Sequence, residues 1–117
     1  MIFRVTIEIG DFQGTRWEPI DALVDTGATR TKAPRELLVR LGLTPTDTRE
    51  ARLADGRVIL RDVAQASIRI GGKQAINVVT FGESGEDPLL GSLTLETFSL
   101  GVDSVNRRLI PLQDLEL

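Results

Sequence analysis

The chain has 117 residues, 41% hydrophobic and 26% charged, with a formal net charge of −3, which suits one globular domain, residues 1–117, and leaves no room for a second. Cysteine and histidine are both absent. That removes disulfide frames, Cys-based metal sites, the commonest metal ligand and both Ser-His-Asp and Cys-His catalysis, so acid–base chemistry falls to carboxyl groups.

The longest basic run is Arg107-Arg108, short of the electrostatic footprint of a nucleic-acid binder. No apolar run approaches the roughly 20 residues that span a bilayer, and Met1 to Gly10 lacks a signal-peptide core. The expectation is a soluble, cytoplasmic chain with no membrane or nucleic-acid partner. With no staples, it must rely on its core or on association with another copy.

In chain order, Ile2 to Ile9 places Phe3, Val5, Ile7 and Ile9 on one face, the period-two pattern of a half-buried strand. Gly10 to Gly14 turns the chain, and a second strand runs over about Thr15 to Val24, with Pro19 arguing for an edge position early in it. Ala22, Leu23 and Val24 form a continuous apolar run, read as a strand end buried on both faces. It delivers Asp25 to the edge of a core, followed by Thr26, Gly27 and Ala28. A carboxylate there is open to control by burial and neighbours.

Pro34 to Leu41 has helical spacing in Leu37, Leu38 and Leu41, with Gly42 as terminator. Short β runs at Arg49 to Leu53 and Arg57 to Leu60 flank Asp55-Gly56, a strong hairpin signal. Ala64 to Ile70 and Ala75 to Phe81 form another hairpin around Gly71-Gly72. Gly82 to Pro88 is an acidic loop whose Glu83, Glu86 and Asp87 read as solvated rather than cation-binding. Leu89, Leu90 and Gly91 lead into a short helix with Leu93, Leu95 and Phe98, and Leu100 to Asp103 and Arg108 to Leu112 close the chain. A faint two-fold echo relates Leu23–Leu41 to Leu89–Phe98.

The run Leu23 to Thr29, the Asp55-Gly56 hairpin and the later Leu89-Leu90-Gly91 turn before a short helix together resemble the retropepsin-like aspartic proteases. The resemblance covers nearly the whole chain. It implies a mainly β, closed antiparallel barrel with one or two short helices, and a flap carrying Ala54, Asp55, Gly56, Arg57 and Val58. It also implies a homodimeric endopeptidase without metal or cofactor, in which each subunit contributes one catalytic Asp25 to a dyad on the two-fold axis.

By the same resemblance, Thr26 bonds across the dimer, Gly27 leaves room for substrate backbone, and Ala28 stands where some relatives carry a serine that stabilises the ionised dyad. Val24, Val58, Ile59 and Leu89 are candidate pocket residues for a peptide or protein substrate. Thr29 and Arg30 after Ala28, and Ser92 after Gly91, depart from the retroviral pattern, and Lys32 puts a charge where relatives have apolar residues. Two other functions are weighed against the protease. One is a retropepsin-like dimerisation or peptide-binding module with little turnover, the other an unrelated small β-barrel binding domain.

Overall fold

The computed structural model describes residues 3–116, so Met1, Leu117 and Ile2, the first residue of the expected opening strand, lie outside the described residues. Among these, nine strands and two short helices follow one another: β1 (Arg4–Gly10), β2 (Trp17–Val24), β3 (Lys32–Pro34), α1 (Arg35–Arg40), β4 (Asp47–Arg52), β5 (Val58–Ile70), β6 (Lys73–Gly82), β7 (Leu89–Leu90), α2 (Ser92–Thr97), β8 (Leu100–Asp103) and β9 (Arg108–Pro111). The chain is mainly β, as expected. No helix among the described residues is long and apolar enough to cross a membrane.

Seven strands form one sheet in the order β1-β2-β7-β3-β6-β5-β4, with a further pairing of β1 to β5, while β8 and β9 pair separately. The sheet is mixed rather than antiparallel throughout. β2 pairs parallel to β7 through Leu23–Leu89 and Val24–Leu90, and β3 pairs parallel to β6 through Lys32–Thr80 to Pro34–Gly82. Parallel neighbours need a long connection, and here the connections bring the segment after β2 beside the segment after β7.

Period-two burial explains most of the strands. In β1, Ile7 and Ile9 are fully buried, and across the sheet Ala22, Val24, Ala33, Ala66, Ile68, Val79, Phe81 and Leu90 join them in the core. The run Ala22 to Val24 is not buried on both faces: Leu23 is half-exposed between two buried neighbours, because its face pairs with Leu89 and Lys32 rather than with a covering layer. Pro19 sits opposite Glu8 in β1, in the part of β2 whose other edge is open, so its missing N–H breaks no ladder bond.

Beyond shifts of one or two residues at strand ends, three boundaries differ from the sequence reading. Lys32 and Ala33 belong to a strand, leaving Pro34 as the N-cap of α1 rather than its first residue. Arg57–Leu60 and Ala64–Ile70 fuse into the thirteen-residue β5, since β4 pairs with its first half and β6 with its second. β4 begins at Asp47, among polar residues that carry no alternation of their own.

Candidate active site

Asp25 follows the last residue of β2, and its backbone is fixed from both sides. Its N–H donates to Leu90 O at 3.1 Å, and its carbonyl accepts from Ala28 N–H at 3.1 Å. The half-exposed side chain accepts from Gly27 N–H at 2.9 Å on Oδ1. A Cβ on Gly27 would lie 3.2 Å from Asp25 Oδ1 and otherwise in open space. Thr26 and Gly27 are exposed, and Ala28 is half-buried.

The segment after β7 supports this loop. Ser92 N–H donates to Ala28 O at 2.8 Å and Leu93 N–H to Thr29 O at 3.0 Å. Gly91 is packed against Arg30 so closely that a Cβ would meet the Arg30 carbonyl carbon at 2.5 Å, which accounts for the glycine of the Leu-Leu-Gly turn. Below it, Thr31 and Thr94 are buried with their hydroxyls 2.6 Å apart, and Thr31 Oγ1 also accepts from Gly91 N–H at 3.1 Å. With two acceptor sites and one proton, Thr31 serves both contacts only if it donates to Thr94 or accepts from it on its second lone pair. Nothing in the spacing of these two threonines signals this pairing.

The structure therefore brings together Asp25 to Ala28 and Leu89 to Gly91. Ala54, Asp55, Gly56, Arg57 and Val58 form a separate, exposed hairpin tip. It closes through Leu53 N–H to Arg57 O at 2.8 Å and Gly56 N–H to Leu53 O at 2.9 Å, with Gly56 at φ +89°. Arg57 donates to both carboxylate oxygens of Asp55, holding that carboxyl below its ordinary range through the backbone bond first and the guanidinium second. Among the described residues no hydrogen bond or ion pair joins this tip to the Asp25 loop.

The pocket candidates divide by register. Paired residues on neighbouring strands share a face, so Leu23, Leu89 and Lys32 line the same half-exposed side. Val24 faces the core and cannot line a cleft on that side. Its neighbour Leu23 shares that half-exposed side with Leu89. Val58 is half out in solvent and Ile59 half-buried, so the two alternate as one strand requires.

Glu86 is anchored, not solvated. Arg61 grips it with two hydrogen bonds of 2.8 and 2.5 Å, Glu83 N–H adds a third at 2.7 Å, and Lys32 Nζ lies 3.8 Å away. These contacts, the Arg61 guanidinium foremost, lower its carboxyl to about 2. Lys32 thus lies largely buried beside a carboxylate rather than standing alone. Its stem runs over Gly82, whose added Cβ would meet Lys32 Cγ at 3.2 Å. Arg35 continues the cluster, bridging Asp62 and Glu83 at 2.9 and 2.8 Å with its guanidinium over the Phe81 ring.

Three cavities of about 500, 620 and 540 Å³ are lined by residues other than Asp25 to Ala28. Among the described residues no group of three or more acidic side chains could hold a metal ion. A half-exposed carboxylate on a rigid floor, with an exposed threonine and glycine beside it, can exchange protons with a bound water or with a facing acid. A family model described as aspartyl protease matches residues 5–94 of the chain. No curated protein matches it.

Proposed function

Since the chain belongs to the aspartyl protease family, we propose that it is a homodimeric endopeptidase that hydrolyses peptide bonds with a water activated between two copies of Asp25. The observation that carries this reading is the Asp25 loop itself. Its carboxylate is presented half-exposed on a floor of Leu90, Gly91 and Ser92, and each chain supplies one such loop. A dyad then requires a second copy across a two-fold axis.

Two carboxyls at hydrogen-bond distance cannot both ionise cheaply, so the pair shares one proton, as paired aspartates of this enzyme class do. The ionised member takes a proton from water while the protonated member polarises the scissile carbonyl. The tetrahedral intermediate collapses as a proton passes to the leaving amine, with no acyl-enzyme. Thr26, exposed in the single chain, bonds across the dimer and fixes the two carboxyls in register. Gly27 leaves space for substrate backbone.

The Asp55-Gly56 hairpin acts as a flap, closing over an extended peptide and excluding water. Leu23, Leu89 and Val58 supply apolar pocket walls. The additional pairing of β1 with β5 supports reading the sheet as the closed barrel that the resemblance implies. A chain without cysteine suits a reducing, cytoplasmic setting.

Asp25→Asn is the direct test, with unfolded casein as substrate and sedimentation for the assembly. Loss of cleavage with an intact dimer supports the reading. A monomeric wild-type protein that still cleaves, or a dimer that binds peptide and never cleaves, would overturn it, the latter in favour of a binding module.

A further inference from the structure

A groove of about 540 Å³ lies between the middle of β6 and the helix α2, bounded by Arg30, Ile76, Asn77, Val78, Leu93 and Thr97. Its floor is a stretch of the β6 edge that no strand pairs with among the described residues. Thr80 donates its N–H to Thr31 O at 2.9 Å, toward β3, and β6 stays in unbroken register with β5 from Lys73 to Thr80. Peptide groups alternate in direction along a strand, so those of Val78 and Ile76 point the same way as that of Thr80. There β3, which begins at Lys32 opposite Thr80, no longer covers them.

Two side chains at this edge are incompletely paired. Asn77 Nδ2 donates to Ile76 O at 2.9 Å and to Thr97 Oγ1 at 3.1 Å, while Thr97 Oγ1 donates to Leu93 O at 2.9 Å. That chain fixes the amide's orientation and leaves Oδ1, a buried acceptor, without a partner. Arg30 Nε is a buried donor without one. The other buried or half-buried arginines, Arg35, Arg61 and Arg69, each hold a carboxylate, whereas Arg30 holds none among the described residues. A donor withdrawn from water without an acceptor is costly, and an arriving carboxylate would supply that acceptor.

We infer that this groove is a strand-addition site for an extended, acidic stretch of the polypeptide substrate, pairing its backbone with the β6 edge at Ile76 to Val78 and its carboxylate with Arg30. The assignment to substrate rests on the protease reading above. Main-chain pairing at an open edge supplies affinity and alternate side chains supply selectivity. Here Ile76 and Leu93, 46% and 43% exposed, form the apolar flanks. Arg30 lies five residues beyond Asp25, and Leu93 N–H is tied to Thr29 O, so the groove continues from the catalytic loop. Glu96 also lines it, which confines the acidic residue to the Arg30 end.

The test uses the Asp25→Asn protein, so that nothing is cut, and the probe acetyl-Val-Glu-Val-Thr-Val-amide followed by amide NMR. Saturable shifts at Ile76, Val78 and Arg30 Nε are expected. Arg30→Gln, or replacing the probe's Glu by Gln on otherwise unaltered protein, should weaken binding about tenfold, the loss of one charge-assisted contact. In the Asp25-intact protein, Arg30→Gln should raise KM for unfolded casein and leave kcat unchanged. Equal affinity for the Glu and Gln probes, or shifts confined to other strands, would overturn the groove while leaving the protease reading standing. Binding at β6 with no casein cleavage by the wild type would overturn the assignment to substrate.

Discussion

Gly91 and Arg30 are in backbone contact: a Cβ on Gly91 would sit 2.5 Å from the carbonyl carbon of Arg30 and 2.6 Å from its oxygen. Gly91→Ala must therefore push apart the two segments that hold the Asp25 loop. We expect a loss of about 3 kcal/mol in urea unfolding, with activity falling beyond what the remaining folded fraction accounts for. A variant as stable as the parent would show that the two backbones are not in contact.

The buried Thr31 and Thr94 hydroxyls give a second test. Thr31→Val keeps the shape but strips a hydrogen bond from Thr94 and the acceptor from Gly91 N–H, leaving buried polar groups unmatched at a cost of about 1–3 kcal/mol. Thr31→Ser retains the hydroxyl and should recover most of that loss. The comparison is read from urea midpoints of the three proteins.

A shared site predicts how activity scales on mixing. When wild-type and Asp25→Asn subunits exchange freely at fixed total concentration, each mixed dimer holds one carboxylate and is inactive. The rate should fall as the square of the wild-type fraction. A linear fall would mean that each chain cleaves without its partner.

The anchored Glu86 sets an acid limit on stability. Its carboxyl is lowered from 4.5 to about 2, chiefly by Arg61. The native state therefore binds fewer protons than the unfolded one between these values, and stability falls as pH falls. The contribution is complete above about pH 4.5 and is lost as pH drops through about 2. Wild type should thus exceed Glu86→Gln in stability at pH 6, and the gap should narrow steadily between pH 4 and pH 2.5 when both are unfolded in urea.

Ala28 offers a pH test of the chemistry. Ala28→Ser adds a hydroxyl next to the carboxylate loop, and a donor to an ionised acid favours that ionised form. The acidic limb of the pH dependence of kcat/KM should move to lower pH. An unmoved limb would separate Ala28 from the dyad.

What the sequence made legible follows from how local each signal is. The Asp25-Thr26-Gly27 turn, the Asp55-Gly56 hairpin and the alternation of Phe3 to Ile9 are written in adjacent residues, and the described structure carries all three. Leu23 misled because an apolar run of three looks the same whether the outer face meets a second layer or a half-open surface. The anchoring of Glu86 is hidden because its partner Arg61 lies 25 residues away, between two β runs that the sequence pattern does not join. Arg30 and Gly91 carried no mark of their contact, since close approach between backbones leaves only a glycine, and a glycine before a helix has an ordinary reading as a stop or start.

The floor under Asp25 has a consequence for synthesis. Its hydrogen bonds to Leu90, Ser92 and Leu93, and the Thr31 to Thr94 contact 63 residues apart in sequence, all wait for residues 90–94. A nascent polypeptide still tethered to the ribosome before Thr94 emerges can fold its first hairpin but holds its acidic loop unsupported. Ordering of the acidic loop is thereby postponed until Thr94 has left the ribosome.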